Sequence, residues 1–221
     1  MLHSAADGAS GVVQVRTEGD DEADRIEAVN DFVVKFANVN GSGSASANEL
    51  FAKAILRMGV PVSPRNIFPS NIQGLPTWYE IRVTRDGYVA RSGRVDLMVA
   101  MNAETYAKDV REVSPGGVLI YDSTWPRAAV LAREDITILG VPLARICNEN
   151  FVGVRNRILM KNIMYAGVLA ALLEIDVEVI RGLLTESYAK KPALVDANMK
   201  ALGLGREYAL AHFPCPLPIR A

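Results

Sequence analysis

The residues with the most chemical potential in this chain are Asn40-Gly41-Ser42-Gly43-Ser44. Paired glycines let a backbone turn sharply and come close to a bound group. The flanks say where the loop sits. Residues 32–39 (FVVKFANV) form a short apolar run rich in β-branched and aromatic side chains, as expected of a buried strand. After the loop, Leu50, Ala54 and Met58 recur four apart with Phe51 and Ile55 beside them, one apolar face of a helix. Ser44 and Ser46 are candidate N-caps for it, and Glu49 is expected in its positive first turn. A strand, a glycine turn and a helix open a doubly wound α/β fold, and the helix N-terminus there is a natural anion site. Two readings stand: a structural turn, or a loop that holds a phosphate. The dinucleotide fingerprint is incomplete, since Ser46 replaces its third glycine. About twenty residues on, where a carboxylate should hold a nicotinamide ribose, the chain reads Pro64-Arg65-Asn66.

The other polar groups at expected strand ends are Asn102 and Asp122-Ser123-Thr124. They can grip a phosphate or an amide, but supply little acid–base chemistry. Asp122 reads more readily as a cap or turn residue after the strand than as a catalytic one. No nucleophile elbow and no His/carboxylate cluster occurs in the sequence, so no catalytic residue and no metal set is assigned. His3 and His212 lie near opposite ends and read as surface residues. The two cysteines, Cys147 and Cys215, have no metal-ligand spacing and read as free thiols in a reducing cytoplasm. They are too few for an iron–sulfur cluster of the usual kind. A formal net charge of −1 gives no footprint for nucleic acid and no polybasic membrane signal. The most apolar helix, residues 158–175, is broken by Lys161, Asn162 and Glu174, so no membrane span is expected.

These groups need a frame, and 221 residues suffice for one sizeable domain. Residues 1–29 read as an acidic leader, with an extended piece at 12–15. Residues 61–68 are a second strand. Residues 79–84 alternate polar and apolar, and Asp86-Gly87 reads as a hairpin turn into 88–92, giving an antiparallel flap. Further buried strands are expected at 95–101, 118–121 and 136–139, with a crossover helix at 103–113. Beyond Arg155 the pattern is helical, with Asp176 capping one helix and Pro192 opening another. Residues 213–221 form a proline-stiffened strip, expected to be a linker. The expected fold is α/β: a three-layer Rossmann-like sheet, mostly parallel, with an antiparallel hairpin flap and a C-terminal helical segment. The main domain runs over 30–212.

Four stretches together resemble the gamma domain of 2-oxoacid:ferredoxin oxidoreductases, in the form fused to the N-terminus of the alpha subunit in 2-oxoglutarate-type enzymes. They are 40–45 (NGSGSA), 71–83 (NIQGLPTWYEIRV), 96–102 (DLMVAMN) and 116–123 (GGVLIYDS). Trp78-Tyr79 and Lys161-Asn162 are the more specific pieces. The resemblance implies a complex that oxidatively decarboxylates a 2-oxoacid with thiamine diphosphate, passes electrons through iron–sulfur clusters to ferredoxin, and releases an acyl-CoA. It implies that this domain handles coenzyme A and assembly, while thiamine diphosphate and the clusters belong to other parts. The implied partners are the thiamine-pyrimidine domain of the alpha subunit and a beta subunit, and the chain is expected to be inactive alone. The residues that follow as coenzyme A contacts are Gly41, Ser42, Gly43, Ser44, Arg65, Asn102 and Ser123. Arg65 is the expected partner of a nucleotide phosphate, because its guanidinium is a bidentate donor. The Trp78-Tyr79 loop is expected to be an exposed contact surface. A rival reading is a structural module with no ligand of its own. A nicotinamide dehydrogenase is disfavoured by the missing glycine and carboxylate.

Overall fold

A computed structural model describes residues 28–221 apart from positions 70, 71, 89 and 91. The leader, including residues 12–15 and His3, lies outside the described residues up to Ala28. The elements are β1 (Ala28–Val29), β2 (Asp31–Val39), α1 (Ser44–Arg57), β3 (Val62–Ile67), β4 (Pro76–Thr84), β5 (Leu97–Ala100), α2 (Tyr106–Glu112), β6 (Val118–Asp122), β7 (Thr137–Val141), α3 (Leu143–Asn150), α4 (Val154–Leu172), α5 (Val177–Ser187), α6 (Pro192–His212) and β8 (Ile219–Arg220).

Six strands form one sheet in the order β3-β4-β2-β5-β6-β7. The β2, β5, β6 and β7 ladders are parallel, and β4 joins β2 and β3 antiparallel. The central strands read as continuous apolar runs because both faces are covered. On one face Phe32, Val34 and Phe36 of β2 pack with α1, α3, α4, α5 and α6. On the other, Ala37, Trp78 and Met98 pack with α2 and a 3-10 turn at Ala129–Leu131. Phe36 anchors the first core, with its ring 6.2 Å from Phe51, 6.3 Å from Tyr79 and 5.8 Å from Tyr165. The chain is α/β and three-layered, as expected.

Several local readings are corrected. The antiparallel hairpin is β3–β4, inside the sheet, not a flap turning at Asp86-Gly87. Gly87 N–H does close a turn onto Thr84 O (3.2 Å), but no strand forms among the described residues of 88–96. Tyr88 is exposed, while Val95 is buried in the core without joining a strand. Helix α3 follows Pro142 directly, where the sequence reading had no element; its signal was Leu143 and Cys147 four apart, both buried. The crossover at 103–113 begins as a 3-10 turn, Ala103–Thr105, before α2. Asp176 caps α5 as expected, its carboxylate accepting from Glu178 N at 2.8 Å, and Pro192 opens α6. The strip after α6 lies on the body: Phe213, Leu217 and Ile219 are buried, and β8 pairs in parallel with β1.

Candidate functional site

The strand order makes the site. From adjacent parallel strands, β2 sends α1 to one face of the sheet and β5 sends α2 to the other. A crevice opens at the carboxyl ends of strands at such a switch. The β2–α1 loop lies there. Gly41 and Gly43 both have positive φ, +85° and +79°, which glycine adopts freely and other residues resist. At both positions a side chain would have to displace a neighbour. A Cβ on Gly43 would run into the Leu159 side chain of α4, and one on Gly41 would meet Gln73 at 2.8 Å.

Gly43 itself takes the N-cap position of α1, and no side chain caps the helix. This corrects the expected serine caps: Ser44 is already helical, and its hydroxyl accepts from Ser42 Oγ (3.1 Å). Glu49 falls beyond the first turn and pairs with Lys53 at 2.7 Å. The first N–H groups of α1 have no intrahelical acceptor, which leaves a positive end facing the crevice.

Neighbouring elements hold this loop from two sides. The β3–β4 loop folds over it, with Asn40 N–H donating to Leu75 O (2.8 Å) and Gly74 N–H to Asn40 O (3.0 Å). From α4, the buried Asn162 donates its Nδ2 to Ser42 O at 2.9 Å. Between these walls lies a cavity of about 310 Å³, lined by the loop together with Asn38, Asn48, Asn66, Phe68, Thr77, Trp78 and Tyr79. Its floor is polar within an otherwise apolar core. Tyr165 donates its hydroxyl to Asn48 Oδ1 (2.7 Å), and the buried side chain of Asn38 lies against that hydroxyl. Burial pushes the Tyr79 phenol up to about 12, with the Glu49 carboxylate adding to it, and pushes Tyr165 up as well.

Of the residues expected from sequence, Gly41, Ser42, Gly43 and Ser44 come together here. The other three do not. Arg65 is exposed on the edge strand β3, opposite Glu80 in the ladder, while its neighbour Asn66 lines the cavity opposite Tyr79. Side chains alternate along a strand, so Arg65 belongs to the opposite face. Asn102 ends β5 and is spent partly on structure, its Oδ1 accepting from Glu104 N (3.1 Å), although its buried Nδ2 is unpartnered. Ser123 follows β6 and donates its N–H to Val141 O at 2.9 Å. Beside it Asp122 accepts from Thr124 Oγ1 (2.6 Å) and Ala144 N (3.3 Å), fastening the start of α3, with Lys161 Nζ at 3.6 Å. Trp78 is not an exposed contact but is buried, donating Nε1–H to Asp109 Oδ1 at 2.8 Å. A larger groove of about 700 Å³ lies between α4, α5 and α6, but its rim charges include the paired Glu178 and Arg181. Cys147 is buried and its thiol is pushed up to about 11, mainly by that burial, which leaves it inert. Sequence reasoning missed Asn38, Asn48, Asn66 and Tyr165. They sit inside regular elements, and only the fold reveals that the three asparagines line one cavity with Tyr165 behind Asn48.

The family "Pyruvate ferredoxin/flavodoxin oxidoreductase" matches residues 33–208. The chain belongs to this family. It is 22% identical over 213 residues to the alpha subunit of 2-oxoacid:ferredoxin oxidoreductase 2 of Aeropyrum pernix, a match covering 80% of this chain and 33% of that protein. It is 27% identical over 114 residues to ketoisovalerate oxidoreductase subunit VorA of Methanothermobacter thermautotrophicus, covering 52% and 23%. Among solved structures, the fold matches 2-oxoglutarate:ferredoxin oxidoreductase from Magnetococcus marinus, described with 2-oxoglutarate, coenzyme A and succinyl-CoA bound. The TM-score is 0.76 at 22% identity, over 87% of this chain and 33% of that one. It also matches a keto/oxoacid ferredoxin oxidoreductase gamma subunit from Geobacter sulfurreducens (TM-score 0.65, 22% identity, 81% of this chain and 99% of that one). The fold is thus that of the gamma domain of these oxidoreductases. The chain spans about a third of the length of the Aeropyrum and Magnetococcus proteins.

Proposed function

We propose that this chain is the gamma-type domain of a 2-oxoacid:ferredoxin oxidoreductase and contributes coenzyme A handling and subunit assembly. The observation that carries the proposal is the β2–α1 loop. Two positive-φ glycines and an uncapped helix N-terminus converge on one cavity at the switch in strand order. Gly41, Gly43 and Ser44 bring backbone N–H groups up to a phosphate of coenzyme A, Ser42 offers its hydroxyl beside them while its own N–H closes the turn onto Val39 O (3.2 Å), and Asn162 keeps the loop in that conformation. Asn102 and Ser123 lie farther along the same crest and bound the path of the ligand; Arg65 stands outside it. Coenzyme A supplies the thiol that accepts the acyl group. The residues of this chain bind and orient, and none of them moves a proton in the reaction.

The substrate that fits the family and its relatives is a 2-oxoacid, with 2-oxoglutarate first among the candidates. Thiamine diphosphate, the iron–sulfur clusters and the reduction of ferredoxin are assigned to the rest of an alpha subunit and to a beta subunit. The free Cys147 and Cys215 suit a reducing cytoplasm. The test is calorimetric titration of the assembled complex with coenzyme A and with NAD, comparing wild type with Gly43→Val. The expected result is coenzyme A binding in wild type, no NAD binding, and a loss of coenzyme A affinity of at least about tenfold in the variant, worth about 1.4 kcal/mol. Undiminished binding in Gly43→Val returns the loop to a structural turn.

A further inference from the structure

We propose that the groove of about 700 Å³ between α4, α5 and α6 is the docking site of this chain's own N-terminal segment, residues 12–16 (VVQVR). The groove shares no lining residue with the cavity at the β2–α1 loop and does not depend on a coenzyme there.

A glycine marks the groove. Gly203 sits inside α6 and lines it, and a Cβ placed there would meet nothing within 4 Å. Glycine inside a helix is less favourable than alanine, so an open position of this kind needs a reason. Gly167 and Gly205 have theirs in the contact between α4 and α6, where a Cβ on either would overlap a backbone oxygen of the other helix. Gly203 has no such contact among the described residues. A chain segment lying close along α6 supplies one. The floor beside it is apolar, formed by Ala170, Ala171, Met199 and Leu202, and suits small branched side chains. Gly182 of α5 is equally open but lies outside the groove, which makes it a control.

The place where the chain enters the fold says which segment is at hand. Residues 1–27 precede Ala28, whose N–H donates to Pro218 O (3.3 Å) as β1 pairs in parallel with β8. Backwards from that point the partner strip runs through Pro216 and Cys215, and both line the groove. The segment before Ala28 therefore starts beside the groove mouth. Its β-branched run is Val12, Val13 and Val15. In an extended chain Val13 and Val15 share one face, with Gln14 and Arg16 on the other. The valines suit the floor. Arg16 suits the rim, where Glu174, Asp176, Glu178 and Glu207 outnumber Arg181 and Arg206. The balance stays acidic even with Arg220 paired to Glu174 at 3.5 Å. The same rim repels the acidic run 20–24, which leaves 12–16 as the occupant. Residues 17–27 can span up to about 36 Å when extended, against about 11 Å along α6 from Leu210 to Gly203. A tether of that length holds the segment at roughly millimolar effective concentration, so a modest apolar contact suffices.

The experiment uses the full chain in two backgrounds, wild type and Val13→Asp/Val15→Asp, which sets two charges against the apolar floor. In each background Gly203→Ala and the control Gly182→Ala are compared by thermal unfolding. In the Asp background both substitutions should raise the midpoint by about 2–4 °C, the gain of alanine over glycine inside a helix. In wild type Gly182→Ala should keep that gain, whereas Gly203→Ala should lose it, because its methyl group meets the docked segment. Equal gains from Gly203→Ala in both backgrounds overturn the proposal. Maleimide labelling of the half-buried Cys215, located by mass spectrometry, reads the groove edge directly. It should be slower in wild type than in the Asp background. An equal rate in both overturns the proposal. A rate that falls with protein concentration in both backgrounds also overturns it, and assigns the groove to a second copy of the chain.

Discussion

Gly43 shows how one residue joins conformation to ligand approach. Its positive φ lets the chain enter α1, and its missing side chain lets Leu159 of α4 close against the loop. Gly43→Ala should therefore cost about 1–3 kcal/mol, measured by urea unfolding, from left-handed strain plus the contact with Leu159. In a Leu159→Ala background the contact term disappears, so the same substitution should cost less there. Simple additivity in that double-mutant cycle would mean the two residues do not touch in solution. Asp109 gives a second test at this scale. It is fully buried, accepts from Trp78 Nε1 and Thr105 Oγ1, and burial raises its carboxyl above the ordinary range despite those bonds. A raised folded pKa means that its contribution to stability is complete below the unfolded value and falls as pH rises through the folded one. Asp109→Asn removes that loss, so its stability relative to wild type should improve steadily from the ordinary carboxylate range upward, read from unfolding curves across pH. A flat difference would contradict the burial argument. Sequence showed the glycines because Gly-x-Gly between a strand and a helix is a pattern. It could not show that Asn38, Asn48 and Asn66 line one cavity, because each lies in a different element. Arg65 stands one step along β3 from Asn66, and one step along a strand changes face.

At the scale of elements, α4 organises the molecule. Its first half touches both crest loops, through Asn162 to Ser42 and Lys161 to Asp122, and its second half lies against α6. That helix pair is close because of two glycines. A Cβ on Gly167 would overlap Leu202 O, and one on Gly205 would overlap Met164 O. Neither backbone can yield without separating the helices. Gly167→Ala should destabilise by about 3 kcal/mol or more, the upper range for overpacking, and a shift in the thermal midpoint would measure it. An unchanged midpoint would show that the helices are not in contact. The main elements were legible because apolar runs and helical spacing are strong where burial is complete. The hairpin was misplaced because Asp86-Gly87 is a good local turn signal, whereas the true partner of β4 is β3, with Pro64 in its middle on the sheet edge. Local turn chemistry lost to the apolar surface that 62–67 could cover.

The whole molecule has a face that its own fold does not use. Val152, Val154, Ile158 and Leu159 are exposed at the start of α4, and Trp125 is exposed just beyond β6, near the crest that carries the glycine loop. Scattered exposed aliphatics are ordinary, but a group beside the ligand crevice marks a contact surface. On the proposed function, that surface meets the domains that hold the thiamine diphosphate and the clusters, which places coenzyme A between partners. The isolated chain should then fold without oxidising a 2-oxoacid, and should co-elute with a partner alpha-type domain or beta subunit. Val154 and Ile158 lie four apart on one helix face, so a double change to Glu puts two charges into the contact. Both side chains are exposed, so the variant's own stability should stay within about 0.5 kcal/mol of wild type. Size-exclusion chromatography with each partner, backed by near-ultraviolet circular dichroism, makes the measurement. The expected outcome is a folded variant that elutes alone while wild type shifts with its partner. Equal association of both would move the interface off α4, and turnover by the isolated chain would remove the need for any interface.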